Sequence, residues 1–409
     1  MRSFRIRLAF ALTIMLSAGA NAQVPVYGEL EVQARSHPTT PENLSPADSI
    51  GGASPTLNDS GALAIRVFVA ANSFAYGLWY GEGGGGQVVF AYADTDPFMS
   101  DPHLNGPGLA VFERTESGSD NGLWVYDPGS GTTQRVTSQP FGTALWSSPR
   151  MDDLGRIGFR SSFSGQYAFH SVAPPNKVAL HAAQSGPLDP DGPWGFLFTP
   201  AFGPGRTITA KVALDTTTGP AQIRTFAADG SSVLIVETNA TDPASPFSGF
   251  DNGVAVNAHG EVAFVATLAA GGRGVYRSDG GMPVEIARTG PFSQVTEIEF
   301  FRPDINDAGL VVFRGRDGNG HRAIWVGDGN DLLRVAVRGS PVATSIGPGQ
   351  INRPDTDIVF GGNPAINNHG DIAFIADLAA ASDIHTGLGR ALIRVRALPF
   401  EIFSDGFED

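Results

Sequence analysis

Pro303-Asp304-Ile305-Asn306-Asp307-Ala308-Gly309-Leu310-Val311-Val312-Phe313 reads as a strand end, a tight turn and the start of a second strand. Asn306 can hydrogen-bond its own backbone through the turn, and Gly309 takes a positive φ without steric cost. Val311 and Phe313 then share one face of the following strand. Proline has no ladder donor, so Pro303 marks the start of the strand before the turn. Four residues of this composition make a hairpin loop of ordinary length. Downstream, Ala323-Ile324-Trp325-Val326 and Leu332 to Val337 flank the turn Gly327-Asp328-Gly329-Asn330. These supply a third and a fourth strand.

The phrase returns along the chain at intervals of about 50 residues. Its glycines are Gly61, Gly108, Gly155, Gly205, Gly260, Gly309 and Gly370. Three residues earlier stand Asn58, Asn105, Asp152, Phe202, Asn257, Asn306 and Asn367. Apolar pairs follow in Leu63/Ile65, Ala110/Phe112, Ile157/Phe159, Val262/Phe264, Val311/Phe313 and Ile372/Phe374. The fourth copy departs nearly everywhere: Thr207 and Thr209 replace the apolar pair, and Pro200 is one residue out of step. Sustained helical periodicity is absent, and Gly and Pro are too dense for long helices.

Four strands in about 50 residues is the size of a propeller blade. The expected fold is therefore an all-β propeller of seven four-stranded blades over residues 23–400. An open solenoid or a pair of sandwiches is the competing architecture. Tyr27 to Arg35 looks like a fourth strand that precedes the first copy, while the last copy lacks one. The N-terminal strand should complete the last blade and close the ring. Valine at Gly309 or Gly370 is expected to cost folding before activity, because the phrase builds the ring.

The pattern P-x-I-N-x-x-G-x-V-A-F, followed by G-[IV]-[YW] and an Asp-Gly-Gly turn, resembles the tandem repeats of a poorly characterised group of exported bacterial proteins. Their activity is generally unassigned and they look like propellers, so the resemblance implies a fold and carries no catalytic residue over. Ile402-Phe403-Ser404-Asp405-Gly406-Phe407-Glu408 resembles a short terminal signature on exported proteins of some Gram-negative bacteria. Residues 401–409 are accordingly read as a tail with a sorting signature, against a frayed tail with two locally packed phenylalanines.

The N-terminus points the same way. Arg2, Arg5 and Arg7 precede the apolar run Leu8 to Ala20, and Ala20-Asn21-Ala22 is an A-x-A cleavage site. Residues 1–22 read as a signal peptide, giving a secreted, periplasmic or envelope protein of a Gram-negative bacterium with no transmembrane segment after signal removal. The chain has no cysteine, so burial and backbone pairing must stabilise it without disulfides. Its formal charge of −14 argues against nucleic-acid partners and anionic membranes. Lysine occurs only at Lys177 and Lys211; base composition explains the excess of arginine as well as function does.

Acidic, glycine-rich loops supply the oxygen ligands that Ca²⁺ prefers, although none has a complete loop spacing. The candidates are Glu116 and Asp120 in one loop, Asp189 and Asp191 in a second, and Asp317 in a third. The reading requires no cofactor; Ca²⁺ is the ion these loops invite. His259 and His369 occupy matching turn positions and read as solvated turn residues. The least repeat-like stretches, residues 174–193 and 339–363, are where a ligand groove is expected, near Arg353, Asp355, Asp357 and Trp194. No nucleophile elbow, zinc-protease motif, phosphate loop or dinucleotide fingerprint is present. The first expectation is a monomeric, non-catalytic binding or scaffold protein with a glycan or envelope-protein partner. The alternatives are a polysaccharide hydrolase or lyase with acids in the central channel, and an architectural spacer.

Overall fold

The computed structural model describes residues 23–399, apart from Asp96, residues 116–121, residues 139–144, Ser164, Asn176, residues 187–188 and Thr216. Alternation along Val262–Leu268 sends Val262, Phe264, Ala266 and Leu268 into one apolar cluster. Ala263 and Val265 go into the next. Both faces of the strand are thus covered, each by a different neighbouring sheet. Among the described residues seven such clusters form, one for each interface between successive sheets. The core is a ring of interfaces, which is how a chain of near-identical units buries apolar surface without a single centre.

The seven sheets are the blades of a propeller. In the sixth, Val311–Asp317, Arg322–Gly327 and Leu332–Val337 pair antiparallel in that order outward. The innermost strand comes in two pieces, Val295–Ile298 and Asp304–Ile305, both paired to Val311–Asp317. One face of the ring carries the Asn-x-x-Gly turns (the turn face); the other carries the connections between blades (the loop face). Among the described residues no helix is long and apolar enough to cross a membrane.

The N-terminal strand closes the ring. Val26–Arg35 pairs antiparallel with Asp383–Leu398, from Val26 opposite Leu398 to Arg35 opposite Ala391. Arg35 is fully buried there. Its Nη1 donates to the Leu388 carbonyl at 2.6 Å and its Nη2 to the Thr40 carbonyl at 2.7 Å. Residues 339–363 carry an added hairpin, Pro341–Thr344 with Gly347–Ile351, joined to the seventh blade through Ile372–Ala380.

The fourth copy needs a corrected register. Phe202 pairs with Ile208 and Gly203 with Thr207, as Leu57 pairs with Leu63 and Asn58 bonds Ala62 in the first blade. Gly203, not Phe202, therefore holds the Asn place, and Arg206, not Gly205, holds the glycine place. Arg206 has φ +67°, a left-handed conformation that a glycine normally takes. Ile208 and Ala210 then fill the apolar positions and are buried. Pro200, six residues before Arg206, was the sequence signal for this shift.

The turn glycines that align do adopt left-handed backbone, for example φ +84° at Gly260 and +80° at Gly309. A Cβ on Gly309 would lie 2.2 Å from Nη1 of Arg277, whereas one on Gly260 would meet nothing within 4 Å. Gly260→Ala therefore isolates backbone strain, and is expected to cost about 1–2 kcal/mol in a denaturant melt.

Candidate functional site

The turns meet around a central channel of about 480 Å³. Its turn-face end is held by a chain of asparagines. Each accepts its own turn amide on Oδ1: Ala62 N to Asn58 at 2.9 Å, Leu310 N to Asn306 at 3.0 Å, Asp371 N to Asn367 at 2.9 Å. Each then donates from Nδ2 to the backbone of the next blade. Asn58 reaches the Asn105 carbonyl (3.1 Å), Asn105 that of Asp152 (3.0 Å), Asn257 that of Asn306 (3.0 Å), and Asn306 that of Asn367 (3.0 Å). Asn367 reaches Asn58 at 3.0 Å and so links the last blade to the first. The chain is interrupted where the donor is missing: Asp152 is a carboxylate paired with Arg156 at 2.6 Å, and Gly203 has no side chain. Sequence reasoning assigned these asparagines only to turn-making.

The next residue outward repeats the arrangement. Gly106 N donates to Asp153 (2.6 Å), Ala258 N to Asp307 (2.7 Å), Asp307 N to Asn368 (2.8 Å) and Asn368 N to Asp59 (2.8 Å). Asn368 Nδ2 also bridges Asp59 at 3.0 Å and Asp307 at 2.9 Å. The carboxylates at this mouth are thus spent on joining blades.

A third set of clasps lies nearer the loop face. Arg66, Arg160, Lys211, Arg273 and Arg314 each reach a carbonyl of the following blade: Met99 (2.7 Å), Leu197 (3.0 Å), Phe250 (2.9 Å), Ile298 (3.1 Å) and Gly362 (2.8 Å). Several also lie over aromatic rings, Arg314 at 3.6 Å from the centre of Phe301 and Arg273 at 3.9 Å from that of Phe300. Much of the basic content is therefore structural. The signal was available in the basic residue five places after the turn position in four copies: Arg66, Arg160, Lys211 and Arg314.

Between these rings the channel is lined by Thr56, His103, Arg150, Ala201, Ala255, Arg302, Asp304 and Ala365, among others. Thr56, His103 and Asp304 join blades again, accepting Leu104 N (3.1 Å), Met151 N (3.2 Å) and Ile366 N (3.1 Å). Nδ1 of His103 is an acceptor, so the ring proton sits on Nε2. Enclosure drives the His103 pKa well below the ordinary imidazole value, with Arg150 and Arg302 adding repulsion. Enclosure also pushes Arg150 down to about 9 and raises Asp304.

Two more histidines are buried in the third blade. His170 bonds Ser161 at 2.9 Å, and His181 bonds Ser171 at 2.7 Å. Burial, with a smaller contribution from His181, pushes His170 down to about 4. Unfolded histidine binds its proton near pH 6.5. The unfolded state therefore takes up protons first, and this stability is present above about pH 6.5 and lost as pH falls towards 4. His170→Gln is expected to flatten that part of the stability–pH profile relative to the parent, measured by urea unfolding.

The loop candidates are scattered. Asp317 accepts Asn319 N and His321 N at 2.9 Å each and pairs with Arg334. Asp189 belongs to a local turn with Gly186 and Gly192, and Asp191 is exposed. Glu116 and Asp120 lie outside the described residues. Among the described residues no three His, Asp or Glu side chains converge as a metal ion would need. His259 and His369 are exposed in their turns. Trp194 stacks edge-on against Phe226 at 5.4 Å. Arg353, Asp355 and Asp357 do share a loop-face pocket with Arg338 and His385, where Asp357 pairs with Arg316 at 2.6 Å.

Residues 116–387 match the model of a family of unknown function, DUF7453. The chain belongs to the DUF7453 family. No curated protein matches the sequence. Among solved structures, this DUF7453 member is similar to the β-propeller domain of the Trilobed protease from Pyrococcus furiosus. That likeness has 12% identity and a TM-score of 0.54, covering 85% of this chain and 95% of the other. It is also similar to a Mycobacterium tuberculosis puromycin-hydrolyzing peptidase, at 11% identity and TM-score 0.52, covering 91% of this chain and 56% of the peptidase. At these identities the likeness is one of fold.

Proposed function

We propose that this protein is an exported, non-catalytic propeller that binds a glycan or another envelope protein on its loop face. One observation carries the reading: the channel carboxylates Asp59, Asp152, Asp153, Asp304 and Asp307 are each engaged in a turn or in joining blades. Glycoside hydrolysis needs a carboxyl pair about 5–9.5 Å apart, free to give or take a proton or attack the sugar. The rings that would have to supply it hold the scaffold together instead. The loop face, by contrast, presents Phe292, which is wholly exposed in the connection before the sixth blade; Phe300, between the two pieces of that blade's innermost strand, is 78% exposed.

The test is a glycan array and a pull-down from envelope extract, both run across salt concentrations and with and without calcium. Saturable capture lost on Phe292→Ser with Phe300→Ser supports the reading. Empty results in both assays, or turnover of any polysaccharide offered, would sink it.

A further inference from the structure

Of the arginines that line the channel, Arg156 is paired with Asp152, and two others make no such contact. Arg150, from the innermost strand of the third blade, and Arg302, leading into that of the sixth, both line the channel. The Nε atoms of both are buried and lack a hydrogen-bond partner. Neither guanidinium makes an ion pair or a side-chain hydrogen bond among the described residues; Asp304 attracts both, and Asp101 attracts Arg150, without direct contact. The nearby carboxylates are committed elsewhere. Asp101 accepts Ser54 N at 2.9 Å and pairs with Arg66 at 3.3 Å, while Asp304 accepts Ile366 N at 3.1 Å. His103 is held neutral, since its Nδ1 accepts a backbone amide. Among the described residues Arg302 joins its neighbouring blade through its backbone alone, N to Oδ1 of Asn363 at 2.9 Å. Its side chain is therefore not needed for that joint.

Two half-buried, like-charged guanidiniums that serve no clasp repel each other, and their buried Nε atoms lose solvation. An oxyanion between them would relieve both costs, and guanidinium forks match the two oxygens of a carboxylate. We propose that the waist of the channel binds a small organic monocarboxylate between Arg150 and Arg302. With Asp101 paired to Arg66, the carboxylate of Asp304 offsets one of the two cations and leaves one positive charge at the waist, which a monoanion neutralises. A phosphate dianion would add repulsion against Asp304. The site lies inside the ring and stands independently of whatever the loop face binds.

The experiment is calorimetric titration of the full chain lacking residues 1–22 with glucuronate, acetate, inorganic phosphate and the methyl ester of glucuronate. Saturable binding of at least one carboxylate, absent for the ester, is expected. Arg302→Gln and Arg150→Gln should each weaken it by about tenfold or more. Asp304→Asn should shift preference towards phosphate. No saturation by any carboxylate up to about 10 mM, or unchanged affinity in the folded variants, overturns the proposal. If Arg150→Gln fails to fold, Arg302→Gln decides.

Discussion

A chain beginning at Ser36 is expected to have no folded monomeric state, whereas one beginning at Gln23 folds and melts cooperatively. The missing strand, Val26–Arg35, supplies the outer ladder of the last blade. Its loss strips Val24, Tyr27, Leu30 and Val32 from one interface and Ala34 from the next. It also removes Arg35, whose buried guanidinium ties the Leu388 and Thr40 carbonyls together. Leaving those buried carbonyls without their donor costs about 1–3 kcal/mol each, a large part of a typical domain's 5–15 kcal/mol. The Asp383–Leu398 strand would become a long open edge, an invitation to edge-to-edge aggregation. Size-exclusion chromatography and circular dichroism of the two chains check this. A monomer of unchanged melting temperature in the shorter chain would refute closure by the N-terminal strand.

Asn367→Ala is expected to destabilise the protein by about 2–4 kcal/mol in a urea melt. The side chain is buried. It accepts His369 N at 3.1 Å and Asp371 N at 2.9 Å, and donates to the Asn58 carbonyl at 3.0 Å. Alanine leaves the Asp371 amide buried without its partner, which costs about 1–3 kcal/mol, and deletes the link between the last blade and the first. Asn367→Asp keeps the acceptor, loses the donor and sets a carboxylate against the Asn58 carbonyl. Asp152 tolerates a carboxylate at the matching place because Arg156 neutralises it; no arginine is four residues after Asn367. The aspartate variant should therefore also lose stability. Wild-type stability in both would mean that the asparagine chain is incidental.

The two variants separate the jobs of one residue, and only one job was legible in the sequence. Asn at the turn, with Gly three residues later, is a local preference, since both act within a few residues of backbone. That Nδ2 of each copy would find the carbonyl of the next copy depends on how blades stack. The fourth copy makes the same point in reverse. Anchored on its glycine the copy is one residue out of register, whereas Pro200 keeps the true phase and Arg206 takes the left-handed turn position. Asp189, Asp191 and Asp317 carry the residue type that a Ca²⁺ loop uses, but what surrounds each is set by the fold of its own loop.

By itself, the sequence determined the unit, the number of units and the strand that closes them. Turn chemistry, two-residue alternation and repetition are all properties of short stretches, read once and counted. Only the tertiary structure decided what the copies do to one another. Closing the ring brings Asn367 to Asn58 across 309 residues, sets Arg314 against the Gly362 carbonyl, and places Arg150 and Arg302 in one channel. Charge, burial and hydrogen bonding at the centre of a propeller depend on all seven blades at once, and no single stretch of chain carries that information.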